Sequence, residues 1–482
     1  MSFAELLTQE QVERVHDASL EILEQVGLKV RYKPARELFE KHGCLTSADS
    51  EIIKFPRAVV EKYRKMAPPK FTFYARDPKF DKTIPDDSPV IVTGSSAPDL
   101  LDPVTGRERR ARSDDIARIA HLIQELPGYD MFSVSVLADD APMDQFTLWR
   151  LYPALKYCTK PIRITSKDLP DAKEILGLVY LIAGGEEAYK AHPFITHHYC
   201  PVVSPLTMDN LSTEAVMFFA EQGLPVYPTI VPNAGLTSPM SLAGTLAQGN
   251  VEYLAAAVLM QMTREGTPLI YATLPTVADM RTGAYASGGI ECGILHMAHA
   301  QMAHFYNVPC GGYVGLTNSK VNDAQSGYET GMSTTAGLLA GMDMFNMGGL
   351  IEALKTFDFA KAVIDDEIAT MLKRVRRGFE FNEENLALDV IKKIGPGGSF
   401  IVEPHTVKRM KNVAILTKLS DRDTRTQWEK KGAHDIQSRA MTRVKDILSK
   451  QSSTVFSEDV EARIRARFTS LVEGNLQLPE GW

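Results

Sequence analysis

Tyrosine residues recur at the ends of short apolar segments of the chain. Tyr199, Tyr227, Tyr271 and Tyr313 all lie at such positions, and the face of a tyrosine ring attracts a cation. The ordinary alternative is that these rings only fill the interior, because aromatic side chains are common in protein cores. The pattern therefore indicates either a site for a cationic ligand or plain core packing.

A histidine and cysteine cluster at residues 197–200 raises the possibility of a metal site. His197, His198 and Cys200 are close in sequence, but adjacent residues on a strand point to opposite faces. A three-ligand zinc site would need a partner from elsewhere, such as Glu291 or Cys310. Glu291 also fits the start of a helix, where an acidic side chain suits the helix dipole. We therefore expect no metal.

Several familiar sequence signatures are absent. The chain has no GxGxxG, GxxxxGK[ST], HExxH or GxSxG segment, which disfavours dinucleotide, nucleotide, zincin and hydrolase chemistry. It also lacks a DxHxxG segment of the kind that supplies a histidine to cobalt. Any corrinoid would then be carried by another protein.

The elements that must position these side chains are short apolar strands that alternate with helices, which predicts parallel pairing. Eight such units predict a (β/α)₈ barrel over residues 110–405, preceded by an N-terminal helical and β extension (1–109) and followed by C-terminal helices (406–482). A doubly wound open sheet is the alternative, weakened by the missing phosphate fingerprint. The predicted strands are residues 131–137, 161–165, 194–200, 225–231, 268–274, 309–316, 343–350 and 398–403.

The composition is that of an ordinary globular protein of 482 residues, with 44% hydrophobic and 23% charged residues. A net charge of −7 argues against nucleic acid as a partner. The first residues have neither a basic nor an apolar signal region. The five cysteines show no paired spacing, which favours reduced thiols. We expect a cytoplasmic enzyme.

Four stretches of the chain carry a recognisable pattern: the opening through Phe39 with Gly43-Cys44, residues 242–246, residues 287–291 and residues 320–329. These stretches resemble the trimethylamine:corrinoid methyltransferase family, and the similarity extends from the first helix to Thr406. The resemblance implies a barrel that transfers a methyl group to a corrinoid. The most specific of the four stretches is residues 320–329.

One position departs from the founding members of that family, which carry pyrrolysine four residues before the lysine of the 320–329 segment. Alignment on Lys320, Asp323 and Gln325 puts Leu316 at that position. Pyrrolysine captures an amine through its imine ring, which requires a lone pair on nitrogen, and leucine cannot do so. A quaternary amine already carries a neutral leaving group and needs only orientation towards a nucleophile. The resemblance therefore implies a quaternary amine, with glycine betaine first and proline betaine, carnitine or butyrobetaine as alternatives.

The matching family segments imply the catalytic residues, and the carboxyl ends of the predicted strands supply the expected binding residues. Catalytic roles are expected for Glu291, Gln325 and Lys320, and a substrate carboxylate could bind Arg163, His197 or Lys320. The chain is expected to bind no cofactor, to use a separate corrinoid protein and to form a homo-oligomer. A betaine-binding protein without chemistry and a lyase with a metal on Glu291 and His197 stay open. The expected substrate-binding residues are Tyr199, Tyr227, Tyr271, Tyr313, Phe357, His197, Arg163 and Asn346.

Overall fold

The computed structural model describes residues 3–47 and 50–482. Strands and helices alternate through the middle of the chain, as predicted. The helices are α1 Gln9–Gln25, α2 Lys33–Lys41, α3 Arg57–Arg64, α4 Ser113–Glu125, α5 Phe146–Tyr157, α6 Leu169–Ala183, α7 Glu186–Ala191, α8 Leu211–Glu221, α9 Leu242–Thr263, α10 Ile290–Tyr306, α11 Ala324–Leu339, α12 Phe359–Arg377, α13 Glu383–Leu386, α14 Leu388–Ile394, α15 Pro404–Val413, α16 Arg425–Lys430, α17 Ile436–Leu448 and α18 Glu458–Arg467.

The strands are short, and most contain two or three residues. They are β1 Leu28–Val30, β2 Ile52–Ile53, β3 Phe71–Phe73, β4 Lys82–Ile84, β5 Val90–Val92, β6 Asp99–Leu101, β7 Glu108–Arg110, β8 Phe132–Ser133, β9 Ile162–Ile164, β10 Ile195–Tyr199, β11 Val202–Val203, β12 Thr207–Met208, β13 Val226–Pro228, β14 Asn233–Ala234, β15 Tyr271–Thr273, β16 Thr276–Asp279, β17 Ala284–Ala286, β18 Cys310–Gly312, β19 Met344–Asn346, β20 Leu350–Ile351 and β21 Thr356–Phe357.

Two four-stranded parallel sheets organise the middle of the chain. The first has the order β8-β9-β10-β13 and the second the order β15-β18-β19-β5. Single parallel bridges join the sheets at both edges, from Val92 to Met131 and from Ile230 to Thr273. The architecture is mixed α/β, and each of these eight strands has a parallel neighbour on both sides.

One predicted strand is wrong, and the strand that takes its place lies in the predicted N-terminal extension. Residues 398–403 contain no strand, and Ile401 and Val402 in this stretch are 81% and 82% exposed. The eighth parallel strand is instead Val90–Val92, which is buried and pairs with Met344–Asn346. An apolar run indicates a buried strand but carries no information about which strand it will pair with. The other seven predicted strands are confirmed as members of the two sheets.

Helices with apolar faces cover the outer face of the sheets. The longest, α9, is apolar around most of its circumference and is buried over most of its length, as expected of an interior helix. It begins at Ser241, whose hydroxyl accepts a hydrogen bond from the backbone N–H of Gly244. Within the described residues, no helix combines the length and the apolar character that a membrane crossing requires.

The N-terminal helices pack against α9 and α10. Helix α1 begins with a capping box, in which the side chains of Thr8 and Gln11 each accept a hydrogen bond from the other's backbone N–H, and it ends before Gly27. Gly27 has a φ of 76°, and a Cβ atom at this position would lie 2.1 Å from the carbonyl oxygen of Ile53. Glycine is therefore required here by both backbone conformation and close approach.

Candidate functional site

A buried arginine stands at the centre of the polar side chains that the parallel strands bring together. Arg163 lies on β9 and is fully buried. Its Nε donates to the hydroxyl of Ser133 at 3.1 Å, and Nη2 donates to the hydroxyl of Tyr313 at 2.9 Å. Its Nη1 has no partner among the described residues. Because a buried charge is costly unless it is paired, this guanidinium calls for an anion.

Two of the predicted substrate-binding tyrosines flank this arginine. The guanidinium carbon of Arg163 lies 5.2 Å from the ring centroid of Tyr227 and 5.2 Å from that of Tyr313. Their rings thus already hold a cation, which is a side chain of the protein itself. The hydroxyl of Tyr313 also pairs with that of Ser95 at 2.7 Å. The two rings therefore hold the arginine in place.

Asn346 and His198 complete the polar group. Asn346 donates to the hydroxyl of Tyr227 at 3.1 Å, and its own side-chain oxygen is buried with no partner among the described residues. The ring of His198 lies 5.6 Å from that of Tyr227 and 6.0 Å from that of Tyr313. Burial, and then the charge of Arg163, lowers the pKa of His198 well below its usual value. The imidazole is therefore neutral, and it adds no second positive charge.

Leu316 lies in an apolar patch next to these polar groups. It is 3% exposed and forms a small cluster with Leu274 and Tyr313, against which Tyr285 and Val231 pack. Gly315, just before it, has a φ of 85°, which lets the chain turn sharply after β18. One side of the site is thus charged and hydrogen-bonded, and the other side is apolar.

Glu329 ties together the loops that follow β15 and β18. Its carboxylate accepts hydrogen bonds from the Thr317 hydroxyl at 2.6 Å, the backbone N–H of Asn318 at 2.8 Å and the side-chain amide of Gln325 at 2.9 Å. Asn318 in turn accepts from the backbone N–H of Gly288 at 2.7 Å. A Cβ atom on Gly288 would lie 2.3 Å from the carboxylate oxygen, so the close approach of these loops requires glycine.

The three predicted catalytic residues lie in these outer loops. Gln325 is partly buried and bound to Glu329. Lys320 is exposed and donates to the carbonyl of Asn318 at 2.8 Å, and Glu291 is exposed in the first turn of α10. Among the described residues, no hydrogen bond or ion pair links any of the three to Arg163. Their catalytic roles stay predictions.

Two predicted substrate-binding residues of β10 point away from this centre. The ring of His197 stacks on Phe219 of α8 with centroids 3.4 Å apart, and burial lowers the pKa of His197 to about 3. The hydroxyl of Tyr199 is hydrogen-bonded to that of Ser166, and its ring packs against Phe219. Side chains alternate along a strand, so His198 and not His197 faces the arginine.

Tyr271 and Phe357 also lie in other surroundings. The hydroxyl of Tyr271 donates to Asn250 of α9 at 2.9 Å, and its ring packs against Tyr253 with centroids 4.0 Å apart. Phe357 packs edge-on against Phe359 at the start of α12. The contacts of these two residues are those of ordinary core packing.

Of the predicted residues, the structure brings together Arg163, Tyr227, Tyr313 and Asn346, with Leu316 alongside. Sequence reasoning missed His198, Ser133, Ser95, Tyr285 and Glu329 as members of the site. The register of β10 and β13, which pairs His198 with Tyr227, is the signal that assigns His198 to it. Residue types alone do not supply that register.

A cleft of about 630 Å³ lies elsewhere, before the amino end of β5. Lys373, Arg374, Arg377 and Lys411 line it, together with Asp87. It is a surface cleft between α12 and the end of α15, and it lacks the aromatic rings found around Arg163. Among the described residues, no three histidine, cysteine, aspartate or glutamate side chains are arranged to hold a metal ion.

Comparison with known proteins yields a consistent set of similar sequences. The family model described as trimethylamine methyltransferase matches residues 1–470. A glycine betaine methyltransferase of Desulfitobacterium hafniense strain Y51 is 32% identical over 96% of both chains. A trimethylamine methyltransferase of D. hafniense strain DSM 10664 / DCB-2 is 30% identical over 95% of this chain and 92% of its own. A trimethylamine methyltransferase of Methanosarcina barkeri is 29% identical over 94% and 92%.

Proposed function

Because the chain belongs to the trimethylamine methyltransferase family, we propose that it removes a methyl group from a quaternary ammonium carboxylate, with glycine betaine as the leading substrate. The observation that carries this proposal is the unpaired Nη1 of Arg163. A carboxylate is the anion that a guanidinium binds best, through short charge-assisted hydrogen bonds. Trimethylamine has no carboxylate and would leave the arginine uncompensated.

The other end of such a substrate fits the apolar side of the site. A trimethylammonium group is bulky and cannot donate a hydrogen bond from nitrogen, so it suits a wall of leucine and aromatic side chains. Leu316, Leu274 and Tyr285 supply that wall next to Tyr313. The neutral ring of His198 adds a further aromatic surface without repelling the cation. In this arrangement Leu316 contacts the substrate as an apolar surface and forms no bond with it.

The chemistry needs no proton transfer at the reacting nitrogen. The C–N bond breaks, nitrogen keeps its electron pair, and the product is dimethylglycine, whose nitrogen is a neutral tertiary amine beside the unchanged carboxylate. The methyl acceptor supplies the electron pair of the new bond, as the reduced cobalt of a corrinoid does. The protein orients the methyl group for in-line attack and excludes water. The positive charge disappears in the transition state, so the walls must hold the cation without stabilising it strongly.

The acceptor is proposed to be a corrinoid carried by a separate protein. The missing DxHxxG segment supports this division of labour. We also propose a cytoplasmic location. The support is that all five cysteines are free thiols, as is usual in a reducing compartment. Glycine betaine remains one of several betaines that share the carboxylate and the trimethylammonium group.

We also propose that the eight parallel strands close a (β/α)₈ barrel. The support is the parallel neighbour that each strand has on both sides, including the bridges that join the two sheets. In such a barrel, active sites lie at the carboxyl ends of the strands, where Tyr313 and Asn346 stand. The division into parts at residues 110 and 405 stays a prediction, and the pairing of Val90–Val92 favours an earlier start.

The test is a comparison of trimethylammonium compounds that differ in the carboxylate. Glycine betaine, proline betaine, carnitine, butyrobetaine and choline are each supplied with reduced cobalamin, and methylation is followed by the change in its absorption spectrum. We expect at least one carboxylate-bearing compound to be used and choline to be poor. Choline turnover equal to the best carboxylate would count against the arginine as the anchor.

A further inference from the structure

A long stretch of the chain that begins near the end of α12 contains no buried residue. From Lys373 to Lys418 no residue is buried, although the stretch contains the helices α13, α14 and α15. Residues 378–416 of this stretch are called the arm from here on. Short helices are marginal in water without packing against other elements, so an arm of this kind needs a surface to rest on.

The exposed surface of the arm is unusually apolar. Twelve large hydrophobic residues of the arm are exposed, and Phe379, Phe381, Ile401 and Val402 are 83%, 78%, 81% and 82% exposed. With roughly 150 Å² for each fully exposed side chain, at the lower end of the aromatic range, the exposed apolar area is on the order of 1,000 Å². The largest apolar patch of a typical monomer is about 300–600 Å². The summed apolar area of the arm is therefore larger than one such patch.

Both ends of the arm are fixed to the same helix of the protein body. Arg374 and Arg377 of α12 donate to the carbonyl oxygens of Val413 and Asn412 at distances of 3.2 and 3.3 Å. Just beyond the arm, the carboxylate of Glu367 accepts hydrogen bonds from the backbone N–H groups of residues 418–420. The arm leaves α12 and returns to it, so it is held in place while its apolar side chains remain uncovered.

We propose that the arm packs against a second copy of this chain. Obligate homodimers bury about 1,000–2,500 Å² per partner, mostly apolar, and the arm alone offers an area of this size. The arm carries five acidic and five basic residues, so its net charge is zero in a chain of net charge −7. Two copies can therefore meet here without the repulsion that their overall charges would cause.

The ion pairs of the arm support a permanent partner over a transient one. Lys393 pairs with Glu403 at 2.8 Å and Arg409 pairs with Glu384 at 2.6 Å, so these charges are satisfied within the arm. A carrier protein that must leave after each turnover would expose the apolar side chains again each time. A second copy covers them continuously, and the same surface serves on both sides of a twofold axis.

The test is the mass of the full chain in solution, measured by sedimentation and light scattering over a dilution series. Wild type is expected at no less than twice the chain mass of 53.3 kDa. Ile401→Glu with Val402→Lys puts opposite charges into the interface and is expected to weaken self-association about 100-fold or more. The matched control is Met143→Glu with Val203→Lys, at positions that are 73% and 54% exposed outside the arm.

Hydrogen exchange gives a second readout that does not depend on mass. Amides of α14 and α15 are expected to be protected in wild type and to lose protection in the arm variant, while those of α9 do not change. Circular dichroism checks that the body stays folded, since both substituted arm residues are exposed. A monomeric wild type, or an oligomer and exchange pattern that the arm variant leaves unaltered, would overturn the proposal.

Discussion

Replacement of Arg163 by methionine separates substrate binding from stability. The guanidinium is fully buried, and its partners are two hydroxyl groups and two aromatic rings. Removal of one member of a buried charged pair costs about 2–5 kcal/mol of binding free energy. For a betaine whose carboxylate binds Arg163, this corresponds to roughly a 30- to 5,000-fold loss of affinity. The affinity of the variant for betaine, measured by calorimetry, is expected to fall within that range.

The free energy of unfolding is expected to behave differently. Arg163→Met gives up two hydrogen bonds worth about 1 kcal/mol each and the attraction of the rings. It also removes the cost of a buried charge without a counterion, which is several kcal/mol. The two effects nearly cancel, so chemical denaturation of the ligand-free protein is expected to give a stability within about 2 kcal/mol of wild type.

Arg150→Met serves as the matched control. Arg150 is also buried, but its guanidinium donates to the carbonyl of Val136 and the hydroxyl of Ser96. The control is expected to leave the preference for betaine over choline unaltered, whatever it does to stability. The reasoning is refuted by a normal betaine affinity in Arg163→Met, or by a loss of affinity that is fully explained by unfolding.

Three further predictions concern single side chains. Tyr313→Phe removes a hydrogen-bond partner of Arg163 and is expected to raise KM for betaine several-fold. Tyr271→Phe is expected to lower the free energy of unfolding by about 1 kcal/mol and leave KM unaltered. Steady-state kinetics and denaturation of both variants check this. Glu329→Gln replaces one accepting oxygen with a donor that faces other donors, so kcat/KM is expected to fall at least about tenfold, and unaltered kinetics would mean that the loops do not depend on it. Burial lowers the pKa of His197 from 6.5 to about 3, so the unfolded chain binds a proton there first as the pH falls. Below pH 6.5 this residue therefore lowers the free energy of unfolding by about 1.4 kcal/mol per pH unit. His197→Leu is expected to remove that contribution, equal to one proton, from the pH dependence of denaturation curves measured between pH 4 and 6.

The alternation of apolar strands and helices was sufficient to predict most of the fold. Seven of the eight parallel strands follow from short apolar runs before helices. The eighth does not, because residues 398–403 and residues 90–92 look alike as apolar runs. Only pairing with Met344–Asn346 distinguishes the true strand, and pairing is a long-range property.

The site was predictable in residue type more than in position. Arg163, Tyr227, Tyr313 and Asn346 meet because their strands are neighbours and their side chains share the inner face. Alternation along β10 predicts that His197 and His198 point to opposite faces, but it does not say which face is inward. The same holds for Tyr271, whose ring lies against α9.

The most direct test of the account is methyl transfer by the wild-type protein from glycine betaine and, separately, from trimethylamine. Each is supplied with reduced cobalamin, and methylcobalamin formation is followed by absorbance. The unpaired Arg163 and the leucine at position 316 predict turnover of glycine betaine or a similar betaine and none of trimethylamine. Robust turnover of trimethylamine, with no carboxylate-bearing quaternary amine used, would contradict the account.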